Sequence, residues 1–108
     1  MNLATALAAG HRAEVDFSGT VASTPRFFFG TRTRCEHEAF VVRAPQGSVD
    51  VIDNVGLAPP IKVQPGDWVA VRGEFVQDSH EAIVHWTHHD PTHRHVDGFI
   101  RFHGQTYA

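Results

Sequence analysis

Alternation of apolar and polar residues is the dominant pattern along this chain. Val15, Phe17 and Val21 alternate with polar residues, and Val69 and Phe75 belong to a second alternating stretch. Side chains of a β-strand point alternately to opposite faces, so a period of two predicts half-buried strands. The strands predicted from this pattern, and from the turn residues that bound it, cover residues 14–21, 37–43, 48–53, 68–76 and 82–88.

The two ends of the chain carry other signals. A short helix is predicted at the start, where Asn2 can cap the first turn and Gly10 can end the last one. Residues 98–107 predict a closing hairpin, with His103-Gly104 in the position of a tight two-residue turn. Both predictions depend on residue types that are preferred at helix ends and in tight turns.

Together these elements predict a mainly β protein, a small five-stranded Greek-key barrel of the OB type with a short N-terminal helix and a C-terminal hairpin. A β-sandwich is the alternative, but that architecture normally needs about seven strands. A chain of 108 residues has the size of one domain. We expect a single domain over 1–108, with the helix in 1–12, the barrel strands in 14–88, and a histidine-rich loop with the hairpin in 89–108.

Composition and charge exclude several classes of protein. The single cysteine, Cys35, excludes an internal disulfide framework and zinc motifs that need two or more cysteines. The longest apolar run is far shorter than the roughly 20 residues of a membrane-spanning helix, so we expect no membrane partner. The apolar run at the start of the chain is also too short for a signal peptide, so we expect the protein in the cytoplasm. A periplasmic or secreted location would apply if a leader had been removed.

The histidines are concentrated in one part of the chain. Seven of the nine lie between residues 80 and 103: His80, His85, His88, His89, His93, His95 and His103. Imidazole is the commonest side-chain ligand of transition metals, and a carboxylate can complete or support the set. Pro91 favours a bend that would bring separated histidines together. The segment predicts a zinc or copper site drawn from His85, His88, His89, Asp90, His93 and His95, with Asp90 as ligand or as support for the ligands.

Three other interpretations of this segment stay open. In the first, the histidines serve only as structural hydrogen-bonding groups around Trp86. Alternatively the site takes a small anionic ligand, because arginine holds phosphate in a bidentate manner, or it is a metal-assisted phosphodiester hydrolase. Glu74 is interpreted as a solvated strand residue, with contact to the histidine segment as the alternative if it faces the mouth of the barrel. The sequence leaves open whether the protein is an enzyme. The candidate ligand-binding residues are Trp86, Arg94, Arg101, His37 and Asp53.

A third function class comes from the run Phe27-Phe28-Phe29. Proteins that bind single-stranded nucleic acid combine exposed aromatic side chains with a basic groove, and arginines flank this run. The net charge of −3 argues against a general polyanion-binding surface. We therefore favour core packing together with a partner contact or dimer edge for the phenylalanines. The candidates for the nucleic-acid alternative are Arg26, Phe28, Arg32 and Arg34.

The segment Val84–Pro91 carries a family resemblance, together with His95, Gly98 and the turn His103-Gly104. This motif looks like a bacterial family known as domain of unknown function 3465, and the resemblance covers almost the whole chain. It implies a shared fold and a shared site, and no particular activity. Family members commonly have histidine where this chain has Asp53 and aspartate where it has Gly56. If those positions belong to the site, the resemblance implies an altered ligand set here.

Overall fold

The computed structural model of this protein describes residues 2–78 and 81–108, so His80 of the histidine count lies outside the described residues. None of the described helices is long and apolar enough to cross a membrane. The elements are α1 (Leu3–Ala9), β1 (Ala13–Val21), β2 (Arg26–Gly30), β3 (Cys35–Ala44), β4 (Gly47–Asn54), β5 (Trp68–Gln77), β6 (Ala82–His85), β7 (Phe99–Phe102) and β8 (Gln105–Tyr107).

Five of the strands close into a ring. Strand β1 pairs with both β3 and β5, and the path between them runs β3-β4-β6-β5. All neighbouring pairs in the ring are antiparallel except β4 and β6, which are parallel. The predicted mainly β class, with a short helix and a ring of five strands, is confirmed. The inward side chains form the apolar core, which includes Val15, Phe40, Val51, Val71, Phe75 and Val84.

Both predicted chain ends form as expected. The side chain of Asn2 accepts a hydrogen bond from the Thr5 amide at 2.9 Å, and Gly10 ends α1 in the left-handed conformation. In the hairpin, His103 and Gly104 have φ values of 52° and 75°. Two consecutive positive φ values match the twist of the flanking strands, which is why this turn joins β7 to β8 tightly.

One strand outside the ring was not predicted. The described residues add β2 against β3, whereas the hairpin β7–β8, which lies against β5, was predicted. Strand β2 contains the three phenylalanines, and the prediction that they pack in the core is wrong. Phe27, Phe28 and Phe29 are 54%, 39% and 61% exposed, because β2 lies outside the closed ring.

The last ring strand is shorter than predicted. Strand β6 ends at His85 instead of reaching His88, because Trp86 takes a φ of 57° and turns the backbone out of the ladder. The chain then runs as a loop from Trp86 to Gly98 before β7 begins. We call residues 86–98 the histidine loop.

Candidate functional site

Three polar residues form a row across neighbouring ring strands. Glu14 lies directly opposite Glu74 in the β1–β5 pair, and Glu74 lies directly opposite His85 in the β5–β6 pair. Residues adjacent to them in each strand are buried in the core: Val15, Phe75 and Val84. Side chains alternate along a strand, so the row Glu14–Glu74–His85 projects from the outer face of the ring.

The histidine loop folds over this row and adds His95. Its Nε2 atom lies 3.2 Å from Oε2 of Glu74 and 3.3 Å from Oε1 of Glu14. The other oxygen of Glu74 is 2.9 Å from Nε2 of His85 and 3.8 Å from the guanidinium of Arg12. We give the name Glu/His cluster to Glu14, Glu74 and His95. Their potential ligand atoms all lie within 4.8 Å of one another.

The hydrogen bonds of His95 determine which of its ring nitrogens carries a proton and which carries a lone pair. Nδ1 lies 2.9 Å from the Val96 carbonyl oxygen, which can only accept, so Nδ1 carries a proton. In the neutral imidazole Nε2 then has a lone pair directed at two carboxylates, an arrangement that is repulsive. A proton or a metal ion must lie at Nε2 to make this geometry favourable.

His85 has the opposite arrangement. Its Nε2 contacts a carboxylate oxygen of Glu74, so this nitrogen donates a proton to Glu74 and is not available as a ligand. The bond instead orients the Glu74 carboxylate, leaving its second oxygen toward His95. His85 therefore supports the cluster without belonging to it.

Asp90 holds the histidine loop in shape. One carboxylate oxygen accepts the amide and the hydroxyl of Thr92, both at 2.8 Å. The other accepts the amides of Arg94 and His95, at 2.9 and 2.7 Å. Burial would raise the pKa of Asp90, but these hydrogen bonds stabilise the ionised form and lower the pKa to about 2. Asp90 is only 2% exposed and thereby fixes the backbone that carries His95.

Two further contacts close the loop on the sheet. The indole of Trp86 stacks on the His95 ring at 4.5 Å and lies 5.2 Å from the His88 ring. At the other end of the loop, a Cβ on Gly98 would lie 2.1 Å from the Trp86 carbonyl oxygen. Only glycine permits so close an approach of two backbone segments. The position of His95 thus depends on packing as well as on hydrogen bonds.

The pKa values in the cluster follow from burial and from the histidines. Burial raises the pKa of Glu14, and Glu74 adds to the effect. Burial also opposes ionisation of Glu74, but hydrogen bonds from His85 and His95 outweigh it and lower the pKa. For His95, desolvation is outweighed by the hydrogen bond to Val96 and by the two glutamates, so its pKa is raised. Without a metal ion, the two glutamates therefore favour the protonated form of His95.

The other histidines predicted as ligands do not converge with His95. His88 is 4% exposed and its Nδ1 bonds to the backbone carbonyl of His89 at 2.8 Å. His89 bonds to Asp97 at 2.8 Å and makes an edge contact with the ring of His93 at 5.5 Å. The described structure thus brings one predicted ligand, His95, into the Glu/His cluster and gives these others contacts within the loop.

The residues predicted to bind a small ligand are also dispersed. Trp86 packs on His95, but Arg101 lies over the ring of Phe99 at 4.4 Å and donates to Thr106. Arg94 is exposed on the histidine loop, and only its backbone amide bonds to Asp90.

The remaining two predicted ligand-binding residues lie on β3 and β4. His37 bonds through Nε2 to the Thr33 hydroxyl at 2.7 Å and stacks on Phe28. Asp53 is 1% exposed and points into the ring, because residues two apart on a strand share a face and Val51 is buried in the core. Neither side chain belongs to the Glu/His cluster.

Asp53 forms a second carboxyl pair with Glu38, its direct neighbour across the β3–β4 pair. Glu38 is fully buried, and one of its oxygens accepts the Ile61 amide at 2.8 Å. Among the described residues, neither oxygen of Asp53 nor the second oxygen of Glu38 has a hydrogen-bond partner. Burial, with a contribution from Glu38, raises the pKa of Asp53 to about 7. We call Glu38 and Asp53 the inner carboxyl pair.

The residues of the nucleic-acid alternative lie around β2. The guanidinium of Arg26 is held by the buried carboxylate of Asp50, with one contact at 3.3 Å. Phe28 stacks on His37 at 5.3 Å. Arg32 and Arg34 are exposed in the turn between β2 and β3. Of the three arginines, Arg26 is therefore engaged by a carboxylate within the protein.

Glu14 and Glu74 were not predicted as site residues. Glu74, interpreted from the sequence as solvated, has a side chain only 14% exposed and contacts two histidines. A weak signal was present, because both glutamates fall on the polar face of alternating strands. Only the register of β1, β5 and β6 places them beside each other and beside His85.

Comparison with known proteins gives one finding of kinship. A family model described as "Protein of unknown function (DUF3465)" matches residues 7–108. The match confirms the resemblance based on the C-terminal motif. No curated protein matches the chain.

Proposed function

The chain belongs to the DUF3465 family, whose description names no activity, and we propose from its geometry that it binds one divalent transition-metal ion. The ion would be held by Glu14, Glu74 and His95. The observation that carries the proposal is the Nε2 atom of His95, which faces two carboxylates while Nδ1 is tied to a backbone carbonyl. This is how a metal-binding histidine is usually oriented.

The separations within the Glu/His cluster suit a small cation. A tetrahedral site with bonds of 2.0–2.1 Å has its ligand atoms about 3.3 Å apart. His95 Nε2 lies 3.2 and 3.3 Å from its two carboxylate neighbours. Both carboxylate oxygens of Glu14 are shielded from solvent and have no hydrogen-bond partner among the described residues. A bound cation would compensate for the unmet demand of that carboxylate.

Zinc is the ion that this donor set favours. Zn²⁺ accepts imidazole and carboxylate ligands together, whereas Mg²⁺ and Ca²⁺ prefer oxygen ligands alone. Copper, the other predicted ion, prefers square-planar or tetragonal sites as Cu²⁺ and thiolate or thioether ligands as Cu⁺. Three protein ligands would leave a fourth position for water or another molecule. An anion is not proposed as the sole ligand of this cluster, because two carboxylates face it.

The five-stranded ring supports this proposal by holding two of the ligands on adjacent strands. Its order, with β4 and β6 as the parallel pair, is compatible with the OB-like Greek key we infer for the fold. Ligands on neighbouring sheet strands are positioned more rigidly than ligands on loops alone. The histidine loop then needs to position only His95.

The proposal is tested by titrating metal-free protein with zinc in a calorimeter, in two buffers of different ionisation enthalpy. We expect close to one equivalent of zinc per chain. Binding near neutral pH should release a proton, because zinc replaces the proton on Nε2 of His95. The difference between the buffers reports the number of protons released.

Two variants separate a specific site from general attraction of cations. Glu14→Gln removes a ligand charge and should lower zinc affinity at least tenfold, whereas Glu36→Gln, at an exposed position on β3, should not change it. The proposal is contradicted if the wild type binds no zinc, or if both variants weaken binding equally.

A further inference from the structure

A cavity of about 410 Å³ lies between the β2–β3 turn and the start of the histidine loop. Its size is within the range of pockets that hold small molecules. His85 links it to the Glu/His cluster, because the His85 ring lines the cavity while its Nε2 contacts Glu74. The lining residues are Arg32, Thr33, Asn54, Leu57, His85, Trp86 and His88.

Two side chains of this cavity, Arg32 and Asn54, offer hydrogen-bond donors to a ligand. Arg32 forms no ion pair with any described residue, so its guanidinium is free to bind a ligand. The side-chain oxygen of Asn54 already accepts the Gly56 amide at 2.9 Å, which leaves the amide nitrogen as the available group. His88 donates from Nδ1 to a backbone carbonyl oxygen, so in the neutral imidazole its Nε2 is an acceptor and adds no donor to the cavity.

The charge of this cavity is opposite to that of the Glu/His cluster. No carboxylate belongs to its lining within the described part of the chain, whereas Arg32 brings a permanent positive charge. The carboxylate of Glu74 lies behind His85, and its two oxygens face His85 and His95. A cation would be repelled here and a purely apolar ligand would leave the arginine unpaired.

We propose that this cavity binds a phosphate monoester through Arg32 and Asn54. The planar guanidinium matches two phosphate oxygens at once, which makes arginine well suited to phosphate. Trp86 and Leu57 offer apolar surface for the organic part of the ester. The site is separate from the proposed metal site and does not need the metal, because its donors belong to other residues.

The test uses full-length protein in the presence of a chelator, titrated with inorganic phosphate and with phenyl phosphate. Binding is followed by the ³¹P resonance and by calorimetry. We expect saturable binding of one equivalent of phenyl phosphate, with weaker binding of inorganic phosphate because it has no apolar part. Equal affinities would assign the site to free phosphate and overturn the ester proposal.

Arg32→Gln and Arg34→Gln form a matched pair, since both side chains are exposed in one turn and only Arg32 lines the cavity. Arg32→Gln should weaken phenyl phosphate binding at least tenfold, and Arg34→Gln should change it less than about twofold. Circular dichroism verifies that both variants are folded. Absence of binding to the wild type, or an equal loss in both variants, overturns the proposal.

Discussion

Two pairs of carboxyl groups have the same relation to the sheet and opposite surroundings. In each pair the residues lie directly opposite one another on adjacent strands: Glu14 with Glu74, and Glu38 with Asp53. The outer pair meets His95, and Glu74 is also bonded by His85. The inner carboxyl pair has one hydrogen bond, from the Ile61 amide, and no cationic partner among the described residues.

The difference shows that the groups facing a carboxyl pair, and not the pairing itself, decide its ionisation. Burial opposes ionisation in both pairs. On the outer face, hydrogen bonds from histidines reverse this for Glu74 and lower its pKa. Inside the ring nothing reverses it, and the pKa of Asp53 rises to about 7. The outer pair is therefore suited to a cation, and the inner pair to a shared proton.

The largest effect is expected from neutralising one member of each pair in turn. Glu74→Gln removes the charge of a proposed zinc ligand and replaces one of the two oxygens that face histidines by an amide group, so zinc affinity should fall by at least about a hundredfold. Glu38→Gln, inside the ring, should leave zinc affinity unchanged. Calorimetric titration measures both, and a comparable loss in Glu38→Gln would break the distinction between the pairs.

Neutralising Asp53 of the inner carboxyl pair is expected to make the protein more stable. The folded state keeps the Asp53 proton up to about pH 7, whereas the unfolded chain loses it near the ordinary aspartate pKa of 3.8. The wild-type free energy of unfolding therefore falls, through this group, as pH rises between those values. Asp53→Asn does not titrate and can donate to Glu38, so it should be more stable than wild type by roughly 2–4 kcal/mol above pH 7.

Denaturant unfolding at several pH values checks this expectation. The advantage of Asp53→Asn should disappear as pH falls below about 3.8, where the wild-type carboxyl becomes protonated in the unfolded state as well as in the folded state. Glu38→Gln relieves the same pair and should show a gain of the same sign. A variant that is less stable than wild type at pH 8 would show that the inner pair is not strained by its charge.

A smaller effect is expected from the support of His95. Asp90→Ala removes the acceptor of four hydrogen bonds that shape the histidine loop, and we expect about a tenfold loss of zinc affinity. Asp67→Ala is the control, because that carboxylate also accepts a backbone amide in a turn but far from the cluster. If both variants bind zinc as the wild type does, the loop does not need Asp90 to position His95.

The smallest effect is expected at Arg12. Its side chain is largely exposed and lies 3.8 Å from Glu74, where its charge competes weakly with a cation. Arg12→Ala should raise zinc affinity by about twofold or less, and added salt should remove the difference. A loss of affinity in this variant would instead indicate that Arg12 helps to hold Glu74 in place.

Much of the fold was predictable because its strands alternate. The ring strands, the capped helix and the His103-Gly104 turn each have a local signal, and all of them form. Strand β2 has no alternation, since Phe27, Phe28 and Phe29 are all apolar, and its place outside the ring left them exposed. The early end of β6 depends on a left-handed Trp86, a conformation with no sequence signal.

The site was predictable only in part. The local density of histidines pointed to the loop that carries His95, but it also suggested neighbours such as His89 and His93 that face other groups. The carboxylates of the cluster come from β1 and β5, and their proximity depends on strand register. Register is determined by the whole sheet, so composition near the histidines could not reveal Glu14 or Glu74.

The most direct test of the account compares two histidines of the same loop. His95→Gln and His89→Gln each remove one imidazole, and zinc content and affinity are measured on protein purified without a metal column. The Glu/His cluster predicts that His95→Gln loses the bound equivalent of zinc while His89→Gln, whose ring bonds to Asp97, retains it. Loss of zinc in His89→Gln with retention in His95→Gln would contradict the account.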